Sequence, residues 1–189
     1  MTEVDVPSEF WGLWRRHSVA LDGAPAIEPA LVFWCQAPRL FMDMRWCIDP
    51  VEANGLGLSV DRMMAGFTTY EEAGFMTWHH DVDSLIGAGS DRSAVRVTGD
   101  ELIEEGSIPT PDGPPLAFVE VWRRVCSDTP VITQNSTDSG QVFTASIGPW
   151  LMELTVPEGR ASLTCRSDTD SDSEVSWSLG GSFAAAGGN

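Results

Sequence analysis

The stretch "FMTWHHDVD", Phe75 to Asp83, decides the fold. It reads as a strand, and in a strand successive side chains point to opposite faces. One parity then collects Met76, Trp78, His80 and Val82, the other His79, Asp81 and Asp83. The expectation is an inner face of Met, Trp and His backed by a wet outer face.

Runs of the same kind recur on both sides, with Gly, Pro and Asp between them: "ALVFWCQ", "LFMDMRWCI", "AGFTTYEE", "SAVRVTG", "ELIEEGSI", "LAFVEVWRRV", "VITQNST", "QVFTASI", "WLMELTV", "ASLTCRS" and "EVSWSL". Short strands at this spacing predict an all-β protein, an antiparallel up-and-down barrel of about 8–10 strands. One or two short helices are expected, at "SEFWGLW" near the start and at "SVDRMMAGF", where Ser59 is a candidate cap. "TPDGPP", Thr110 to Pro115, reads as a rigid connection. The predicted organisation is a single barrel domain over residues 1–182 and a flexible tail over 183–189.

Composition narrows the function. The chain of 189 residues carries a formal charge of -17 spread along its length, which argues against nucleic acid as a partner. All eleven basic residues are arginine, so Schiff-base chemistry on lysine and a phosphate-loop lysine are excluded. No window approaches the roughly 20 apolar residues of a membrane-spanning helix, and "MTEVDVPSEF" lacks the features of a secretory signal. A cytoplasmic protein with no membrane partner is expected. Cys35, Cys47, Cys126 and Cys165 have no C-x-x-C spacing and read as buried thiols. The acidic run "SDTDSDSE" reads as a solvated loop, with weak calcium binding as its alternative.

Alternation also assigns a cavity. Met42, Met44, Trp46 and Ile48 share one parity, as do Phe118, Glu120, Trp122 and Arg124, then Trp150, Met152, Leu154 and Val156, and finally Val175, Trp177 and Leu179. With Met76 and Trp78 these converge on one cup lined by Trp and Met. The predicted substrate-binding residues are therefore Met44, Trp46, Met76, Trp78, Trp122, Trp150, Met152 and Trp177.

The spacing F-x-G-x-W in "FWGLW", Phe10 to Trp14, resembles the first-strand signature of lipocalins. That resemblance implies a calycin-like barrel in which Gly12 is structural and Trp14 plugs the closed end. "LFMDMRW", "TWHHDVD" and "FVEVWRR" also resemble an uncharacterised group of short bacterial calycin-like proteins, which implies a fold and no activity. Cytoplasmic barrels of this kind include carriers and small cofactor-free cyclases.

Among chemical constellations, His80 and Glu120 are the predicted catalytic pair, since both project into the cup and burial with mutual attraction displaces their pKa values. The plainer alternative is a buried pair bonded to each other, to Arg124 or to indole N–H groups. Asp43, Arg45, His79 and Asp81 form an alternative polar cluster, which faces outward unless the register is inverted. His79 and Asp81 with His17 have the composition of an iron triad, but alternation favours a solvated face, and haem on His80 or His17 ranks equally low. No metal and no cofactor is expected. The leading expectation is a cofactor-independent isomerase, cyclase or lyase of specialised metabolism acting on a mostly apolar molecule. The alternative is a non-catalytic carrier or sensor of a hydrophobic small molecule.

Overall fold

The structure, a computed structural model, describes residues 5–48, 61–84, 89–110, 113–138, 140–156, 160–165 and, as backbone, 175–180. A 3-10 turn at Ser8–Phe10 leads into β1 (Gly12–Leu21), β2 (Ala30–Gln36), β3 (Leu40–Cys47), β4 (Arg62–Glu71), β5 (Phe75–Asp83), β6 (Gly89–Thr98), β7 (Glu101–Ile108) and β8 (Leu116–Cys126). Each strand pairs antiparallel with the next, and β8 pairs back onto β1, closing an eight-stranded barrel. The chain then builds β9 (Val131–Thr137), β10 (Gly140–Ile147), β11 (Trp150–Val156), β12 (Arg160–Cys165) and β13 (Val175–Gly180), a five-stranded meander outside the barrel. The all-β expectation and the closed antiparallel barrel are thus met. The barrel itself ends at β8, and the late strands form their own sheet.

Two cores result. The first fills the barrel: Val6, Phe10, Trp14, Ala30, Val32, Trp34, Phe41, Met64, Met76, Trp78, Val95, Leu102 and Trp122. The second lies between the barrel wall and the five-stranded sheet, with Leu13, Phe33, Cys35, Met42, Met44, Met63, Ala65 and Val82 facing Phe143, Ala145, Ile147, Met152, Leu154, Ala161 and Leu163. β2 is buried along nearly its whole length because both of its faces are covered. That is why "ALVFWCQ" shows no alternation.

This arrangement corrects the predicted cup. Met44 and Trp46 belong to the outer core, as do Trp150 and Met152 from the second sheet. Only Met76, Trp78 and Trp122 of the predicted lining lie in the barrel. Trp177 lies on β13, and its side chain is outside the described residues. The second expected helix is also replaced: Arg62–Glu71 is strand β4, with Met63 and Met64 pointing into different cores, while Ser59 is outside the described residues. "SDTDSDSE" and the 183–189 tail are outside them as well.

A β-bulge reshapes β5. Ala65 pairs with Val82 and Gly66 with His80, so Asp81 is the extra residue. Beyond it the parity inverts. Val82 turns to the outer core and Asp83, expected on the wet face, is buried at 4% exposure. A Cβ on Gly66 would overlap the His79 carbonyl oxygen, so glycine is what lets β4 approach the bulge.

The N-terminal segment packs into the barrel core through Val6 and Phe10. Trp14 is fully buried, donates its indole N–H to the Phe10 carbonyl at 2.8 Å and stacks on Trp34 at 6.3 Å between centroids. The Arg124 guanidinium lies 4.1 Å over the Trp14 ring and donates to the carbonyls of Trp11 and Glu9. Gly12 has φ of 129°, and a Cβ there would overlap the Cys126 carbonyl oxygen across the β1–β8 seam. No described helix is long and apolar enough to cross a membrane.

Candidate functional site: a charged cavity inside the barrel

Strands β2 to β8 each place a side chain around a cavity of about 40 Å³ inside the barrel, lined by Trp34, Phe41, Asp43, Arg45, Met64, Trp78, His80, Asp91, Glu104 and Trp122. Its aromatic part is a cluster in which Trp34 meets Trp78 and Trp122 edge to face, at 5.6 and 5.7 Å between centroids. The Nε1 atoms of Trp34, Trp78 and Trp122, like that of Trp46 against the outer core, are buried and reach no hydrogen-bond acceptor. Space of this size holds about three waters or one small molecule.

The charged part is built from ion pairs. Arg45 donates from Nε and Nη2 to the two carboxylate oxygens of Asp43, at 2.8 and 3.2 Å. Both residues face the lumen, so β3 has the inverted register: the Met42, Met44 and Trp46 parity packs outward, and Asp43 and Arg45 point in. His80 meets carboxylates at both ring nitrogens, Asp83 at Nδ1 (3.0 Å) and Asp91 at Nε2 (3.4 Å). Burial works against the imidazolium, but the two carboxylates outweigh it and raise the pKa to about 9. Asp83 is itself clamped by Arg62 at 2.6 and 3.2 Å.

The other half of the predicted catalytic pair is otherwise engaged. Glu120 faces inward as expected, but it receives Arg16 Nη1 at 2.6 Å, and Arg16 also donates to Glu28 at 3.0 and 3.1 Å. His80 and Glu120 thus sit in separate ion-pair networks, and Glu120 is not among the residues lining the cavity. Its neighbour across the β7–β8 ladder, Glu104, takes that place. Burial raises the Glu104 pKa, the opposed Glu120 carboxylate raises it further, and the Ser93 hydroxyl and Arg45 only partly offset them, so the proton is held to about pH 8.

The remaining candidates fall outside the cavity. His79 stacks on Phe67 at 4.4 Å and contacts Thr69 Oγ1 at 3.2 Å, while Asp81 and His17 are exposed on the barrel wall. Among the described residues no group of three or more His, Cys, Asp or Glu side chains is placed to hold a metal ion. Sequence reasoning missed Trp34, Phe41, Met64, Asp91 and Glu104. Glu104 carried a usable signal, since it shares a parity with the fully buried Leu102. Asp91 had none, because its same-face neighbours are Gly89 and Ser93.

Fold and site together define an antiparallel barrel with a charged internal cavity. No family model matches the chain, and no curated protein matches it. Among solved structures, the chain is similar to the uncharacterized protein YLR301w of Saccharomyces cerevisiae, with a TM-score of 0.61 and 15% identity over 90% of this chain and 84% of that one. The likeness is one of fold.

Proposed function

We propose that the chain is a cytoplasmic, calycin-like carrier or sensor that holds a small molecule in the barrel lumen. The observation that carries this reading is the cavity itself, where three buried indole N–H groups without acceptors stand beside Asp43, Arg45, His80, Asp91 and Glu104. What sets these three apart from the unpaired Trp46 of the outer core is their convergence with charged groups on one cavity, since a binding site needs polar groups converging in an aromatic wall. The calycin assignment is supported by the N-terminal glycine and by Trp14 packed under Arg124 at the barrel end. The charged lining favours a ligand with a polar head over the mostly apolar molecule expected from a cup of Trp and Met.

A cofactor-independent isomerase or lyase is the second reading, and one observation favours it. Glu104 keeps its proton at neutral pH and borders the cavity, which suits a general acid better than the ion-paired His80 and Glu120. The test common to both is titration of tryptophan fluorescence with small ketones, amides, carboxylates and amines. Saturable quenching by one class, lost in Trp78→Ala, supports the binding site. Linear responses to all classes contradict it.

A further inference from the structure

The chemistry of the ligand can be read from what the cavity wall offers. The buried polar side-chain atoms of the wall that have no partner are donors: the indole groups of Trp34, Trp78 and Trp122, in residues exposed by 3%, 6% and 2%. An occupant that leaves them unpaired forgoes their bonds, so it must bring acceptors. The fixed charges of the wall, in contrast, are already matched. Arg45 is satisfied by Asp43, and His80 lies between Asp83 and Asp91, with Arg62 completing that group. Behind the wall Arg16 neutralises Glu120 and engages Glu28. An anionic ligand would enter a site where no positive charge is spare, and would bear its desolvation cost uncompensated, while a cation brings no acceptor for the indole groups.

Glu104 completes the set. It stands directly opposite Glu120 on the inner face of the β7–β8 ladder, and two carboxylates so placed do not both ionise readily. Glu120 takes the arginine, leaving Glu104 with the Ser93 hydroxyl as its hydrogen-bond partner. The charged groups that act on Glu104 are Glu120 from β8 and Asp43 and Arg45 from β3, and His80 of β5 and Asp91 of β6 border the same cavity. A carboxyl in this position is a donor.

Deepening the binding reading above, and resting on it, we propose that the lumen recognises a small uncharged molecule through a carbonyl-type oxygen, which accepts hydrogen bonds from the indole N–H groups and from the Glu104 carboxyl. Recognition is then proton-linked. Binding is strong while Glu104 carries its proton and weakens once it ionises.

Three probes that share one ring separate the possibilities: cyclopentanone, cyclopentanecarboxylate and cyclopentylamine, titrated into the intact protein and followed by tryptophan fluorescence. The ketone is expected to bind at least tenfold more tightly than either ion at pH 6. Its affinity falls about tenfold between pH 6 and 9 as Glu104 ionises, and Glu104→Gln, whose amide donates at any pH, flattens that profile. At least one of Trp34→Phe, Trp78→Phe and Trp122→Phe weakens the ketone about fivefold, the loss of one hydrogen bond, with the circular dichroism spectrum of the folded protein retained. Tighter binding of the carboxylate or the amine overturns the uncharged carbonyl while leaving the cavity as a binding site. A pH profile unchanged in Glu104→Gln overturns the role of Glu104. Absence of binding by all three probes overturns the proposal, and the broader panel then decides the binding reading separately.

Discussion

At the residue scale, His80 shows how a lumen can be polar and still stable. Each ring nitrogen faces a carboxylate, so both must carry protons for the geometry to be favourable. A folded pKa of about 9, above the ordinary histidine value, means that the stabilisation is complete below about pH 6.5 and is lost as the pH rises through 9. His80→Gln is therefore expected to cost on the order of 3 kcal/mol at pH 6, progressively less as the pH rises from about 6.5 to 9, and little above that, read from urea denaturation at each pH. A cost independent of pH would mean that the imidazole acts through packing alone.

At the element scale the bulge in β5 and the double burial of β3 decide which side chains meet. Gly66→Ala pushes a methyl group into the His79 carbonyl, and the strand cannot keep both the β4 pairing and the extra residue at Asp81. A loss of at least about 2 kcal/mol is expected, together with a fall in the His80 pKa as Asp83 is drawn from the lumen, measurable by NMR titration of the imidazole. Met44 belongs to the seam between barrel and sheet, so Met44→Ala should cost about 2–5 kcal/mol in stability and leave the affinity of the cavity for cyclopentanone unchanged. The sequence was legible where one face of a strand is wet. On β5 before the bulge, and on β8, alternation placed Met76, Trp78, His80, Glu120 and Trp122 inward. On β3 the rule that apolar residues point to the lumen failed, since Met42 and Met44 serve a second core and the charged Asp43 and Arg45 face the first. The bulge at Asp81 was not legible from "HHDVD", because the glycine that permits it lies on the partner strand.

At the scale of the whole molecule, strand content could be read from the chain, whereas the division into barrel and outer sheet could not. Every late strand carries the same alternating pattern as the barrel strands, and the pattern records only that one face is buried, not which core buries it. The two proton-holding groups of the lumen set a common pH response. Glu104 binds its proton more tightly when folded between about pH 4.5 and 8, and His80 does so between about 6.5 and 9, so both lower stability as pH rises. Where the two windows overlap, both groups make the unfolding free energy fall as pH rises, and Glu104→Gln should roughly halve that slope, as measured by chemical denaturation from pH 5 to 9. A flat profile in the parent chain would show that neither group keeps its proton.

The central claim is that the indole donors of the barrel core, and not those of the outer core, face a site for a small molecule. The eight tryptophan side chains each give one indole N–H resonance in a nitrogen-correlated NMR spectrum, assignable by single Trp→Phe replacements. Addition of cyclopentanone at pH 6 should move resonances of Trp34, Trp78 and Trp122 in a saturable manner while those of Trp46 and Trp150 stay in place. Saturable shifts confined to Trp46 and Trp150, or no shift at any indole, would contradict it.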